Sequence, residues 1–126
     1  MNRFLRTGAT SFALVLGALL AGSCGSSSST PTAPSGPPAD MTITVIGQNG
    51  AMSFNPPSAT VTVGQTVAWS NSDSITHTST QNNDVWDTGG IAPGTTTAPV
   101  KMTNAGTFQY HCSIHPTMVG VLTVNP

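Results

Sequence analysis

Four side chains in the C-terminal half of this 126-residue chain have the types and spacing to share one soft metal ion. Cys112, His115 and Met118 stand three residues apart in Tyr110-His111-Cys112-Ser113-Ile114-His115-Pro116-Thr117-Met118. One short loop can therefore bring a thiolate, an imidazole and a thioether to one point. The second imidazole is expected from His77, which follows Trp69-Ser70-Asn71-Ser72-Asp73 at the end of a separate strand. Two imidazoles and a thiolate in a trigonal array, with a weak thioether on the axis, make a copper electron-transfer site. Thiolate and thioether favour Cu(I), while imidazole suits both oxidation states, so little needs to move when the charge changes. Structural zinc sites prefer more Cys or His and gain nothing from methionine. Taken singly, Met118 reads as core, His77 as a hydrogen-bonded histidine and Cys112 as a small buried apolar group. Only their joint pattern carries the metal reading. His111 precedes Cys112 on a strand, points to the opposite face and is not assigned as a ligand.

The elements that must position these groups read as strands. Thr42 to Ile46, Ala59 to Val63, Thr66 to Asn71, Thr97 to Met102, Thr107 to His111 and Val119 to Val124 are short and rich in β-branched residues, which suit a pleated surface. Alternation in Val61/Val63, Val67/Trp69, Phe108/Tyr110 and Val119/Val121 gives each a side for a common core. Pro56-Pro57, Gly64-Gln65, Gly89-Gly90, Pro93-Gly94 and Asn104-Ala105-Gly106 punctuate them, and Val63-Gly64-Gln65-Thr66 predicts a tight hairpin-like reversal. No stretch has a sustained helical period. An all-β sandwich is the expected fold class. Gln81 to Thr96 reads as connection anchored by Val85, Trp86 and Ile91, and both Trp69 and Trp86 read as packing residues.

The ends of the chain differ from its middle. Arg3 and Arg6 precede the apolar stretch Phe12 to Ala21, the pattern of an export signal over residues 1–23. The stretch is short for a membrane span. Leu20-Ala21-Gly22-Ser23-Cys24 resembles a bacterial lipoprotein cleavage box, with Cys24 as the lipid-bearing residue, although Ala21 stands where such boxes usually have Leu; ordinary signal cleavage at the same bond is the other reading. A Ser/Pro/Thr/Gly tract over residues 24–40, stiffened by Pro31, Pro34, Pro37 and Pro38, reads as a tether, and the domain is expected over residues 41–126. An exported location, periplasmic or at the cell surface with a lipid anchor, follows from these features. Cys24 then sits far from Cys112, and an unpaired exported thiol needs a reason, which a metal supplies. Beyond the export segment Lys101 faces Asp40, Asp73, Asp84 and Asp87, so nothing could hold a nucleic-acid backbone.

From Thr42 to Val124 the sequence resembles the plastocyanin/azurin family of cupredoxins, the blue-copper proteins. Tyr110 to Met118 looks like the compact ligand loop of amicyanin. Gly47-Gln48-Asn49-Gly50-Ala51-Met52-Ser53-Phe54, with Pro56, Val61, Val63, Gly64, Val67, Trp69 and Asn71, is similar to the first half of plastocyanins. Trp86-Asp87-Thr88-Gly89 through Pro93-Gly94 looks like small bacterial members. The resemblance implies a Greek-key sandwich of seven or eight strands, with one copper at one end held by His77, Cys112, His115 and Met118. It also implies a buried His77 and a His115 edge at the surface, ringed by Met52, Ile75, Ile114 and Pro116, where redox partners dock briefly on a monomer. Two departures stand out. Thr78 occupies a position where plastocyanins commonly carry Asn, so the side-chain bond across to Ser113 is expected to be altered, and Ile114 replaces a frequent Pro. A copper carrier or copper-resistance protein is the alternative function, a metal-free interaction module a third, and an enzyme the least expected.

Overall fold

Which side chains enter the core is decided by the alternation of the strands. The computed structural model describes residues 37–126. The expected export signal, Cys24 and the first part of the tether lie outside the described residues. Among the described residues eight strands run in the order β1 (Met41–Val45), β2 (Phe54–Asn55), β3 (Ser58–Thr62), β4 (Thr66–Asn71), β5 (Thr80–Gln81), β6 (Val100–Lys101), β7 (Gly106–His111) and β8 (Val119–Asn125), with one 3-10 turn at Gly50–Met52. They form two four-stranded sheets, β2-β1-β4-β6 and β3-β8-β7-β5. Within them β1 runs parallel to β4 and β3 parallel to β8, and the other pairings are antiparallel.

On β3, Ala59 and Val61 are buried between exposed Ser58, Thr60 and Thr62, and on β8 Leu122 and Val124 point the same way. The other sheet contributes Ile43, Val45, Phe54, Val67 and Trp69, all fully buried. Between the layers the Trp69 and Trp86 rings stack at 5.5 Å, while Tyr110 stands edge-on to Phe54 at 4.8 Å and to Trp69 at 5.9 Å. Large aromatic rings dominate the area withdrawn from water in so small a domain. Trp69 and Trp86 are packing residues, as their burial requires.

Three details depart from the sequence expectation. The Thr62–Thr66 reversal exists, closed by Gln65 N–H donating to Thr62 O at 3.1 Å with Gly64 at φ +96°. Yet β3 and β4 belong to different sheets, so it is a corner between layers and not a hairpin. The strand expected over Thr97 to Met102 shrinks to two residues because Pro99 has no N–H for the ladder. The edge is continued by Thr97 N–H donating to Trp69 O at 2.9 Å. In the long connection Trp86 and Ile91 are buried, but Val85 is 52% exposed and anchors nothing. At the other end Asp40 already belongs to the fold, since its Oδ2 accepts both the N–H and the hydroxyl of Thr66 at 2.8 Å.

The sandwich brings two chain exits to one end. β4 ends at Asn71 and leads through a loop to His77, which bridges Ile91. The β7–β8 ladder reaches His111↔Val119, leaving only residues 112–118 to turn round.

Candidate metal centre

That turn is closed by its own backbone. Cys112 N–H donates to Met118 O at 3.0 Å, and Met118 N–H to His115 O at 2.9 Å. Cys112 and Met118 are both fully buried and belong to the core cluster, whereas His115 is half-buried at the rim. His77, fully buried, arrives from the other sheet's loop. Its Nδ1 lies 3.8 Å from Cys112 Sγ and 3.2 Å from His115 Nδ1, and His115 Nδ1 is 3.7 Å from the sulfur. Among the described residues these three form the one group of His, Cys and acidic side chains able to share a metal.

The triangle has the size a metal needs. A point in its plane lies about 2.1 Å from all three donors, within the roughly 2.0–2.3 Å typical of transition-metal bonds to imidazole and thiolate. Nothing has to move far for the donors to close on an ion. The donor chemistry agrees, since a thiolate and two imidazoles backed by a buried methionine suit copper.

The sulfur is prepared for this role. Thr78 N–H donates to Cys112 Sγ at 3.3 Å. Burial pushes the thiol up, but hydrogen bonds to the sulfur, the Thr78 N–H first among them, outweigh it and bring Cys112 down to about 6 from an ordinary 9.0. Without metal, the folded domain then carries a thiolate at a pH where the unfolded chain still carries a thiol. A depressed acid of this kind stabilises the fold fully above the unfolded value and loses that stabilisation as the pH falls through the folded one. The metal-free domain is therefore expected to gain stability between about pH 6 and pH 9, by less than the ~1.4 kcal/mol per pH unit of an unscreened group. Urea unfolding across that range measures the slope, and Cys112→Ser should flatten it.

Thr78 also ties the two halves of the site together. Its Oγ1 accepts Ser113 N–H at 2.8 Å and lies 3.0 Å from Ser113 Oγ. The bond across to the residue after the cysteine is thus kept, with a hydroxyl in place of the amide seen in plastocyanins. The hydroxyl of Thr78 is also 3.1 Å from Thr80 Oγ1, which fixes its rotamer.

His111 lies outside the donor group. It sits half-buried on β7 with Nδ1 2.8 Å from Asn82 Oδ1. Met52, Ile75 and Ile114 are exposed by 61%, 40% and 51%, and Pro116 is exposed as well. One neighbour escaped the sequence reading. Asp73 Oδ2 stands 2.8 Å from His77 Nε2, and this hydrogen bond holds the Asp73 carboxyl below its ordinary value. An Asp four residues before a His is too common a pattern to be noticed without the loop geometry.

Comparison with known proteins agrees with this geometry. Residues 41–125 match the family of copper-binding proteins described as the plastocyanin/azurin family. No curated protein matches the chain. Among solved structures, a purple cupredoxin from Nitrosopumilus maritimus is 28% identical with a TM-score of 0.61, over 68% of this chain and 100% of that one. A reduced amicyanin variant is 23% identical with a TM-score of 0.62, over 72% of this chain and 87% of its own, a likeness of fold. A copper-containing nitrite reductase from Thermus scotoductus is 26% identical with a TM-score of 0.60, over 71% of this chain but only 23% of the enzyme. With the family matched over the whole sandwich and a donor set that fits the metal, the chain belongs to the plastocyanin/azurin family of copper-binding proteins, the cupredoxins.

Proposed function

We propose that this small blue copper protein shuttles single electrons between partner proteins outside the cytoplasm, with His77, Cys112, His115 and Met118 as the ligands. The observation that carries the reading is the convergence of one thiolate and two imidazole nitrogens, at 3.2–3.8 Å from one another, at the end of a sandwich. Bound there, copper supplies a one-electron Cu(I)/Cu(II) couple.

The chain's own residues do the rest. Cys112, His77 and Met118 are shut away from water, so the donors are held by packing and not by solvent. His115 alone reaches the rim, and its ring is the route by which a partner couples to the site. The exposed apolar side chains of Met52, Ile75 and Ile114, which the family resemblance sets around that ring, give contact without strong ion pairing, which suits small, brief electron-transfer encounters. Location outside the cytoplasm is supported by the export-like segment 1–23, and attachment to a membrane by Cys24 with the tether behind it. The protein acts as a monomeric carrier and not as an enzyme in this reading.

The test is the visible and electron-paramagnetic-resonance spectrum of the protein with one equivalent of Cu(II). An intense blue form that takes up and releases one electron reversibly is expected. A protein that holds only Cu(I), and surrenders it readily to chelators, would overturn electron transfer in favour of copper delivery.

A further inference from the structure

Asp73 is built into the site more firmly than a surface acid needs to be. One of its oxygens accepts Ser74 N–H at 2.7 Å, and its own N–H donates to Asn71 Oδ1 at 2.9 Å. Asn71 is itself buried, and its amide donates to Ile75 O at 2.7 Å and Ile91 O at 2.8 Å. The loop from Asn71 to His77 is thus clamped at both ends, with the second Asp73 oxygen left to face the His77 ring at 2.8 Å. Gly47 lies against that carboxylate in a left-handed conformation at φ +123°, where an added Cβ would stand 3.6 Å from Oδ2.

A neutral imidazole has one N–H and one lone pair, and the partner of one nitrogen decides what the other offers. A carboxylate can only accept, so the hydrogen of His77 must be on Nε2. The lone pair is then on Nδ1, the atom that faces Cys112 and His115. The same carboxylate brings a negative charge within two bonds' reach of the ring, with 25% of the Asp73 side chain in contact with solvent. A negative charge there favours a dication over a monocation, because the attraction scales with the ion's charge.

We propose that Asp73 is a positioning residue for the metal centre: it fixes His77 as the Nε2–H tautomer with Nδ1 directed at the ion, and its charge lowers the reduction potential by favouring Cu(II). This rests on the copper reading above and deepens it. Outer partners of metal-bound histidines typically change metal affinity by about 10–100-fold when removed. At the lower end of that range, acting on Cu(II) alone, a tenfold change corresponds to about 59 mV for a one-electron couple.

Two variants of the full chain separate the charge from the hydrogen bond. Asp73→Asn keeps an acceptor for Nε2–H and the shape of the loop, and should raise the potential by about 59 mV while nitrogen NMR of the metal-free chain still shows His77 protonated on Nε2. Asp73→Ala should raise the potential at least as far and release His77 into a mixture of tautomers. A blue, reversibly reducible wild type whose potential is unmoved in both variants defeats this proposal alone. A metal-free wild type with His77 protonated on Nδ1 defeats it as well. A wild type that takes up no copper defeats the copper reading, and the proposal with it.

Discussion

Cys112→Ser is expected to give a folded, colourless protein whose Cu(II) affinity has dropped by more than the roughly 10–100-fold lost when an outer partner of a metal ligand is removed. The prediction starts from acidity. The Cys112 thiol is brought to about 6, so at neutral pH the sulfur is already the anion that copper prefers, and metal uptake need displace little proton from it. A serine hydroxyl in the same place stays protonated and is a hard donor where the other two are borderline imidazoles. It is also shorter-armed, so the triangle with sides of 3.2–3.8 Å no longer closes on one ion. The blue colour arises in the copper–thiolate bond, and must go with the sulfur. The fold should survive, because the Thr78 N–H that donates to the sulfur at 3.3 Å can donate to a hydroxyl instead. Exchanging a hydrogen bond to the thiolate for one to a neutral hydroxyl costs at most about 1.5–3 kcal/mol, the worth of a bond to a charged group. Circular dichroism unchanged with the visible band absent is the expected pair of readings, and a variant that stays blue would remove Cys112 from the ligand set.

Much of this was legible in the sequence because the residues that carry it are either rare or periodic. Cys112, His115 and Met118 sit on one loop, so their spacing alone implies convergence. The alternation on β3 marks its buried side, whereas on β8 the Val119/Val121 side read from the sequence is the outer one and Gly120, Leu122 and Val124 are buried instead. What escaped was structure too short to have a period. β2 and β5 are two residues each and cannot show alternation, and the reversal at Gly64 looks the same in sequence whether its strands pair or part into two layers. The role of Asp73 escaped for another reason. Its partner is on its own loop, and the conformation of that loop is set by Asn71, whose amide bonds to Ile75 and Ile91 are invisible until the chain is folded. Thr78 shows the converse. Departure from a familiar residue was read as an altered bond, and the structure shows how it is altered, with the Thr78 hydroxyl accepting Ser113 N–H at 2.8 Å.

Gly120→Ala is expected to destabilise the domain by about 1–3 kcal/mol, the usual cost of overpacking a well-filled core, although alanine would ordinarily be the better strand residue. Gly120 lies directly opposite Tyr110 in the β7–β8 ladder, and the tyrosine ring lies across the space a side chain would use. A Cβ on Gly120 would overlap Tyr110 Cζ and fall 2.5 Å from its hydroxyl oxygen and 2.8 Å from Cε2. The ring has nowhere to retreat, since Tyr110 is 1% exposed and held between Phe54 at 4.8 Å and the Trp69 and Trp86 rings at 5.9 Å. Relief has to come from separating β7 and β8, the strands that carry Cys112 and Met118 at their ends. In a domain of this size each kcal/mol lowers the melting midpoint by about 4–8 °C. If glycine were there only by default, alanine would instead stabilise the strand by roughly 0.5–1 kcal/mol through lost unfolded-state entropy, so the sign of the change decides between the two accounts. Tyr110→Ala removes every atom in the overlap, and in that background Gly120→Ala should cost little. A double-mutant cycle with a coupling free energy of about 0.5–3 kcal/mol places the two residues in contact, whereas additive losses, or a midpoint that rises in the single variant, would show that the ring and the glycine do not constrain each other.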